Sequence, residues 1–467
     1  MLILEKVLKF GLYFSLFTPL LVWDKLFFPY ITSKAFVFYL LIEILLIIYL
    51  IILYKNPEKF KIKKDWILYS LLIFTVISFV TGLLGVDFYI SFWSMFERMD
   101  GIFNLLHFFI FFILIRSVFG DKLDWIKFLR IAFIASVAVS GYGIYQHLFV
   151  LASDERIYST IGNPIYLASY LIPHIFLGFY FIYYYLRGSN LKNNFTPHSV
   201  CGVDRVDNIN SKVVPHSVCG VKKYLYSFWL WFYAIITGLN IWALFLTQTR
   251  GAMLGFFAGL IVLGVLLIIF SLNKKKLVFF YIFPILAIIS LIISILWNTP
   301  PIERFKSSFT NPDITRIMQW DIAYKSFIER PVLGWGSGNY LIAQNKNYNP
   351  ETLQFTGAKW NNAHNKVLEV AVESGAIGLL SYLFIFVAVV YLLLKSIKGN
   401  EMRNSILIGL FVAFFAQNIF IFDTFGSYLA LFLSLGFVGF LAGKENNSEI
   451  KKAPDSFLFL ILIAVLF

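Results

Sequence analysis

The sequence predicts an all-α polytopic membrane protein with about twelve transmembrane helices, and three observations carry that prediction. Of its 467 residues 59% are hydrophobic and 19% aromatic, and the mean hydropathy is +0.77, more apolar surface than a water-soluble domain of this length can bury. The apolar runs are continuous rather than alternating, which argues against a β-barrel. Each run also approaches the roughly 20 residues a helix needs to cross the hydrocarbon.

Twelve segments meet that requirement: 7–23, 35–54, 66–84, 101–119, 128–149, 165–186, 225–246, 252–271, 277–297, 375–394, 405–422 and 427–442. They divide the chain into four parts. Residues 1–297 hold the first nine spans, with a polar insertion at 187–224. Residues 298–373 form a large extracytoplasmic loop expected to contain short amphipathic helices. Residues 374–442 hold the last three spans, and 443–467 form a cytoplasmic tail with an incomplete apolar segment. The first run reaches Trp23-Asp24-Lys25 without a small-residue cleavage site, so it is read as a retained span. The run 456–467 is too short to cross; it is expected either to continue in a longer chain or to lie in the interface.

Lysine and arginine orient the spans. Basic residues crowd the loops at Lys55–Lys64, Lys122–Arg130, Arg187–Lys223, Lys274–Lys276, Lys395–Arg403 and Lys444–Lys452. The alternate connections at 24–34, 85–100, 151–164 and around Arg250 are sparsely basic. Both termini are therefore expected in the cytoplasm. The formal charge of +13 is then mostly positive-inside charge facing anionic lipid, and nucleic acid is not an expected partner.

One repeat invites a metal assignment. Pro197-His-Ser-Val-Cys-Gly-Val203 recurs as Pro215-His-Ser-Val-Cys-Gly-Val221, and it contains both cysteines, Cys201 and Cys219. Two His-x-x-Cys pairs are chemically sufficient for tetrahedral zinc. A verbatim copy in a cytoplasmic loop reads better as duplicated sequence, and no metal site is assigned.

The chemistry is expected where polar chain gathers outside the bilayer. Arg250 sits in Thr247-Gln-Thr-Arg-Gly-Ala252, a tight turn on the sparsely basic side, where its charge should meet headgroups or an anionic ligand. Asp313–Glu329 has apolar residues at Ile317, Trp320, Tyr324, Phe327 and Ile328, the spacing of an amphipathic helix on the membrane surface. Asn311 and Pro312 could begin it. Arg316 falls in its first turn, where the helix dipole offers a cation nothing, so an external anion or Asp313 is its expected partner. The run Gly334-Trp-Gly-Ser-Gly338 lacks the strand and Gly-Lys-Ser/Thr of a phosphate loop and reads as a turn. Asn361 or Asn362 could cap a helix running to Glu373, which would place His364 in the first turn as a neutral general base. Packing roles are expected for His107, His147 and His174.

Taken together, these residues resemble a known family. Thr247-Gln-Thr-Arg250-Gly-Ala, Arg316 with Trp320, Gly334-Trp-Gly336, and Ala363-His364-Asn365-x-x-Leu368-Glu369-x-x-x-Glu373-x-Gly375-x-x-Gly378 are similar to motifs of the O-antigen ligase and polymerase superfamily. Glu97-Arg98-Met-Asp-Gly101 and Ile161-Gly-Asn163-Pro164 resemble its motifs in earlier outer loops. The resemblance implies a multi-pass enzyme of the bacterial cytoplasmic membrane with its site on the outer face. Such an enzyme transfers a glycan from undecaprenyl diphosphate to a lipid, glycan or protein acceptor, with no cofactor. It implies Arg250 and Arg316 on the donor pyrophosphate, His364 as the catalytic residue, and Arg98, Asn163, Trp320 and Glu373 in support. Guanidinium forks can neutralise a departing diphosphate without a metal, and displacement opposite the leaving group would invert the sugar carbon.

Two other readings compete. A transporter or lipid-linked oligosaccharide flippase would show broken spans and ionisable groups at mid-membrane, where Glu43 is the clearest acid. A metal-dependent polyprenyl-phosphate glycosyltransferase would want paired outer carboxylates, to which Asp87, Glu97 and Asp100 come nearest.

Overall fold

The computed structural model describes residues 2–193 except 96 and 153, then 216–270, 314–354 and 362–445. The regular structure of these stretches is helical, joined by turns and loops. The elements are α1 (Leu2–Ser15), α2 (Thr32–Lys55), α3 (Pro57–Phe60), α4 (Trp66–Leu83), α5 (Phe88–Trp93), α6 (Ile102–Val118), α7 (Lys122–Phe149) and α8 (Pro164–Asn193). They continue as α9 (His216–Leu246), α10 (Arg250–Phe270), α11 (Ile314–Glu329), α12 (Tyr340–Lys346), α13 (Lys366–Lys395), α14 (Glu401–Asn418) and α15 (Phe425–Glu445).

Eight of these helices are long and apolar enough to cross a bilayer: α2, α4, α7, α8, α9, α10, α13 and α15. Their outward faces are as apolar as their inward ones. On α2, for instance, Phe36, Leu40, Ile44 and Ile47 are exposed while Phe38, Ile42, Leu45 and Tyr49 are buried. A helix that is hydrophobic all round belongs in lipid. The expected spans 101–119 and 405–422 appear as α6 and α14, and the span 277–297 lies outside the described residues. The first expected span, 7–23, is shorter than the sequence suggests. Helix α1 stops at Ser15 and a 3-10 turn follows at Thr18–Leu20, with Pro19 unable to donate to the previous turn. Its 14 residues reach about 21 Å, short of the roughly 30 Å hydrocarbon core.

The connections between the described helices gather at two ends. At one end the segment 84–101 meets 335–339 through Val86 N–H to the Trp335 carbonyl (2.9 Å). There too Lys366 N–H donates to the Ile421 carbonyl (2.9 Å), and Ile157 N–H to Leu246 (3.4 Å). This end also carries α5, α11 and α12. At the other end the buried pair Arg116–Asp65 (2.6 Å) joins α6 to the start of α4, whose first turn Asp65 also caps at Leu68 N–H.

Helices α10 and α14 touch along a glycine seam. A Cβ on Gly259 would stand 2.5 Å from the Gly409 carbonyl oxygen, and one on Gly255 would stand 2.6 Å from that of Ala413. Small residues let two backbones approach where lipid supplies no hydrophobic drive. The seam fixes the height of Arg250, at the top of α10, relative to Phe420 just beyond α14.

A candidate anion-binding active site

Two loops and a helix build the site, and the first is the turn between α9 and α10. Gln248 adopts φ +48°, and its amide donates to the Asp154 carbonyl (3.2 Å). Arg156 clamps the same turn, with Nε donating to the Thr247 carbonyl (2.8 Å) and Nη2 to Thr249 Oγ1 (3.0 Å). Arg250 is thereby presented at the first position of α10 from a turn pinned to the 154–157 segment.

The second contribution is α11. It lays Gln319, Ile322, Ala323 and Ser326 against the protein and leaves Ile317, Tyr324 and Ile328 exposed on the opposite side. That exposed stripe is the membrane-facing one expected of an amphipathic surface helix. Arg316 lies in its first described turn and Trp320 one turn later. The indole N–H of Trp320 donates to the Ala363 carbonyl (3.1 Å), which joins α11 to the residue before His364. Asn311, Pro312 and Asp313 lie outside the described residues.

Together these pieces enclose a cavity of about 420 Å³ lined by Arg156, Arg250, Arg316, Trp320, Gln417 and Phe420, among others. Three guanidinium groups face it, and among the described residues no carboxylate lines it. Arg250 sits at a helix start, where the backbone dipole is also positive. Arrangements of this kind attract anions.

His364 approaches from the side. Its ring meets Phe422 edge-on at 5.3 Å, and Phe422 follows Phe420 and Ile421 of the cavity wall. Its placement corrects one expectation, for His364 precedes helix α13 rather than lying in its first turn. Asn362 lies three residues before the cap position and donates from Nδ2 to the Glu369 carboxylate (2.9 Å); Asn361 lies outside the described residues. Asn365 caps instead, its Oδ1 accepting from Val367 and Leu368 N–H at 3.0 and 3.1 Å. His364 itself takes φ +49°, which few non-glycine residues adopt. Nδ1 lies 3.3 Å from the Asn362 carbonyl. A carbonyl only accepts, so in that contact Nδ1 is the donor.

The supporting residues divide. Trp320 lines the arginine cavity. Arg98 lies beyond it, its guanidinium 4.1 Å over the Phe422 ring, and lines a smaller cavity with Lys34, Asp100 and Asp423. Asn163 caps α8, accepting from Ile165 N–H (2.8 Å). Glu373 lines a third cavity with Asp100, Lys366 and Glu369, away from the three arginines. Of the outer carboxylates, Asp87 caps α5, Asp100 accepts from Ser94 Oγ and Glu97 lies 3.9 Å from Arg98. Among the histidines, His107 bonds the Phe103 carbonyl (2.7 Å) and Glu43 (3.2 Å). His174 bonds the Tyr170 carbonyl (2.8 Å). Residues 197–215 of the cysteine repeat lie outside the described residues.

The glycine run is a turn, as expected, and it repairs a break in α13. Gly375 has φ +63° and interrupts that helix. Trp335 and Gly336 N–H donate to the Val372 and Glu373 carbonyls (2.9 and 2.8 Å), while Ala376 N–H donates to Pro331 (2.8 Å). Gly334 and Gly375 lie so close to the opposing backbone that a Cβ on either would stand within 2.5 Å of it. A broken span is a transporter feature. Here the backbone groups the break releases are taken by the 331–336 loop.

Arg156 and Gln417 were not anticipated from the sequence. Arg156 stood in a loop read only for its low charge. Gln417 is fully buried within an expected span.

Residues 235–383 match the Wzy_C family model, described as O-antigen ligase. This places the stretch in the O-antigen ligase superfamily. The O-antigen ligase stretch contains Arg250, Arg316, Trp320, His364 and Glu373 and stops short of Phe420 and Phe422. A Rickettsia conorii protein whose provisional name is polysaccharide ligase is 33% identical over 95 residues, covering 19% of this chain and 21% of that one. A Rickettsia felis protein with the same provisional name is 30% identical over 95 residues at the same coverage. The similarity therefore spans about a fifth of each relative's length.

Proposed function

We propose that this protein is a membrane glycan ligase that moves a saccharide from a polyprenyl-diphosphate carrier, undecaprenyl diphosphate by family resemblance, to an acceptor hydroxyl at the outer face of the bacterial cytoplasmic membrane. The observation that carries this reading is the convergence of Arg156, Arg250 and Arg316 on one cavity. Planar guanidinium groups bind phosphate oxygens bidentately and stabilise the charge that develops on a departing diphosphate. They supply that charge without a metal ion.

In this reading His364 Nε2 removes the proton from the acceptor hydroxyl. The acceptor oxygen bonds to the anomeric carbon as the carbon–oxygen bond to the diphosphate breaks, and the electron pair leaves on the phosphate between the arginines. One displacement inverts the sugar carbon. Trp320 gives the sugar an aromatic wall and ties the arginine helix to the histidine loop.

The test is reconstitution with a polyprenyl-diphosphate glycan and candidate acceptors, in buffer containing EDTA. Arg250→Ala and Arg316→Ala should each lower kcat/KM about 10²- to 10³-fold, as loss of a charge-stabilising donor does. His364→Ala should lower kcat by about 10²- to 10⁴-fold. Normal transfer by His364→Ala would end its assignment as base, and strict dependence on added divalent metal would end the metal-independent mechanism.

A further inference from the structure

His364 takes φ +49°, and so sparsely populated a conformation persists only where its neighbours over-determine it. Those neighbours converge on Glu369, in the first turn of α13. One oxygen of its carboxylate accepts from Asn362 Nδ2 (2.9 Å), two residues before His364. The other accepts from Lys366 Nζ (2.6 Å), two residues after it. A single carboxylate therefore closes both flanks of the loop that carries the imidazole. Asn362, Lys366 and Glu369 are all buried, none more than 7% exposed. Hydrogen bonds to a charged group hold firmly where water does not compete for them.

The other ties on this loop run to its surroundings. The Ala363 carbonyl accepts from the Trp320 indole (3.1 Å), and Lys366 N–H donates to the Ile421 carbonyl (2.9 Å). These two bonds fix where the loop sits, while Glu369 fixes how its ends are drawn together. An acid in a first turn already gains from the helix dipole. That gain does not call for both oxygens to be spent on side chains bracketing a histidine. Glu369 lines the third cavity and not the one faced by the arginines, so its route to the chemistry runs through His364.

We propose that Glu369 is a positioning residue of this site, holding the His364 imidazole in the one orientation from which it can take the acceptor's proton. The proposal rests on the transfer reading of His364. Its test uses the full chain and a polyprenyl-diphosphate glycan in the transfer assay, read together with thermal melting. Asn362→Ala removes one tie and leaves the Lys366–Glu369 ion pair intact. It should lower kcat about tenfold with the donor KM unchanged, as loss of a buried bond to a charged group does. Glu369→Leu/Lys366→Met removes both ties and strands no charge in the interior, so it should still melt cooperatively while kcat falls about 10- to 100-fold. In a His364→Ala background neither change should lower the residual rate further, because a group acting only through the imidazole has nothing left to orient. Unchanged kcat in both variants, with His364→Ala inactive, overturns the proposal and leaves the transfer reading standing. So does a loss of the same size in the His364→Ala background, or a loss confined to the donor KM. A fully active His364→Ala overturns both.

Discussion

At the scale of single residues, the site depends on side chains that serve other side chains. Arg156 holds the turn before Arg250 through two nitrogens of one planar fork. Lysine keeps the charge but not the fork, so Arg156→Lys should raise KM for the diphosphate donor about tenfold with a smaller change in kcat, measured by steady-state kinetics. Asp423 gives a pH signature. It lies between Phe422 and α15, accepts from Asn418 Nδ2 (3.0 Å), and burial pushes its carboxyl up from 3.8 to about 6. A carboxyl that binds its proton more tightly when folded adds stability at low pH, and that stability is lost as pH rises through its folded value. The melting temperature of the wild type should therefore fall between about pH 4 and about pH 6, by an amount worth roughly 3 kcal/mol, and Asp423→Asn should flatten that slope. Arg250, Arg316 and His364 were legible in the sequence because each lies in a motif outside the expected apolar runs. Arg156 was hidden because a loop arginine has no local pattern, and what singles it out is a hydrogen bond across about ninety residues of chain.

At the scale of elements, run length revealed nearly every long helix, since lipid demands continuous apolar sequence. Interruptions were harder to see. The end of α1 at Ser15 leaves hydrophobicity unchanged, and several neighbouring asparagines offer the same cap chemistry, so residue type alone did not fix where α13 starts. The kink at Gly375 combines a positive φ with a backbone contact from Val332 that leaves no room for a methyl group. Gly375→Ala should lower the melting temperature sharply and reduce transfer activity, because His364 rides on the short helical piece above the kink. The seam between α10 and α14 makes a gentler prediction. Gly259→Ala presses a methyl against the Gly409 carbonyl, and overpacking of this kind costs about 1–3 kcal/mol, readable as a thermal shift in detergent.

At the scale of the whole molecule, alternation of basic loops indicated which connections share a side, and the structure gathers those same connections at common ends. The sequence could not show that segments around residues 156, 250, 316, 364 and 422 form one cluster, because that depends on helix order in the bundle. Sidedness itself is testable. With Cys201 and Cys219 replaced by serine, Glu351→Cys, at an exposed polar position, should react with a membrane-impermeant maleimide added to intact cells. Lys398→Cys should react only after permeabilisation. The reverse pattern would place the arginine cavity in the cytosol and exclude a periplasmic reaction.

The interrupted helix α13 also bears on how such a molecule tolerates its surroundings. Above Gly375, the piece carrying His364 is laced to the 331–336 loop, and the long apolar rod below is not what holds it. Bilayers swell and thin with temperature and lipid content, and a rod responds by leaning. A jointed one lets its submerged part lean while the imidazole keeps its spacing from the guanidinium groups, so chemistry at the rim is insulated from the thickness of the membrane beneath it.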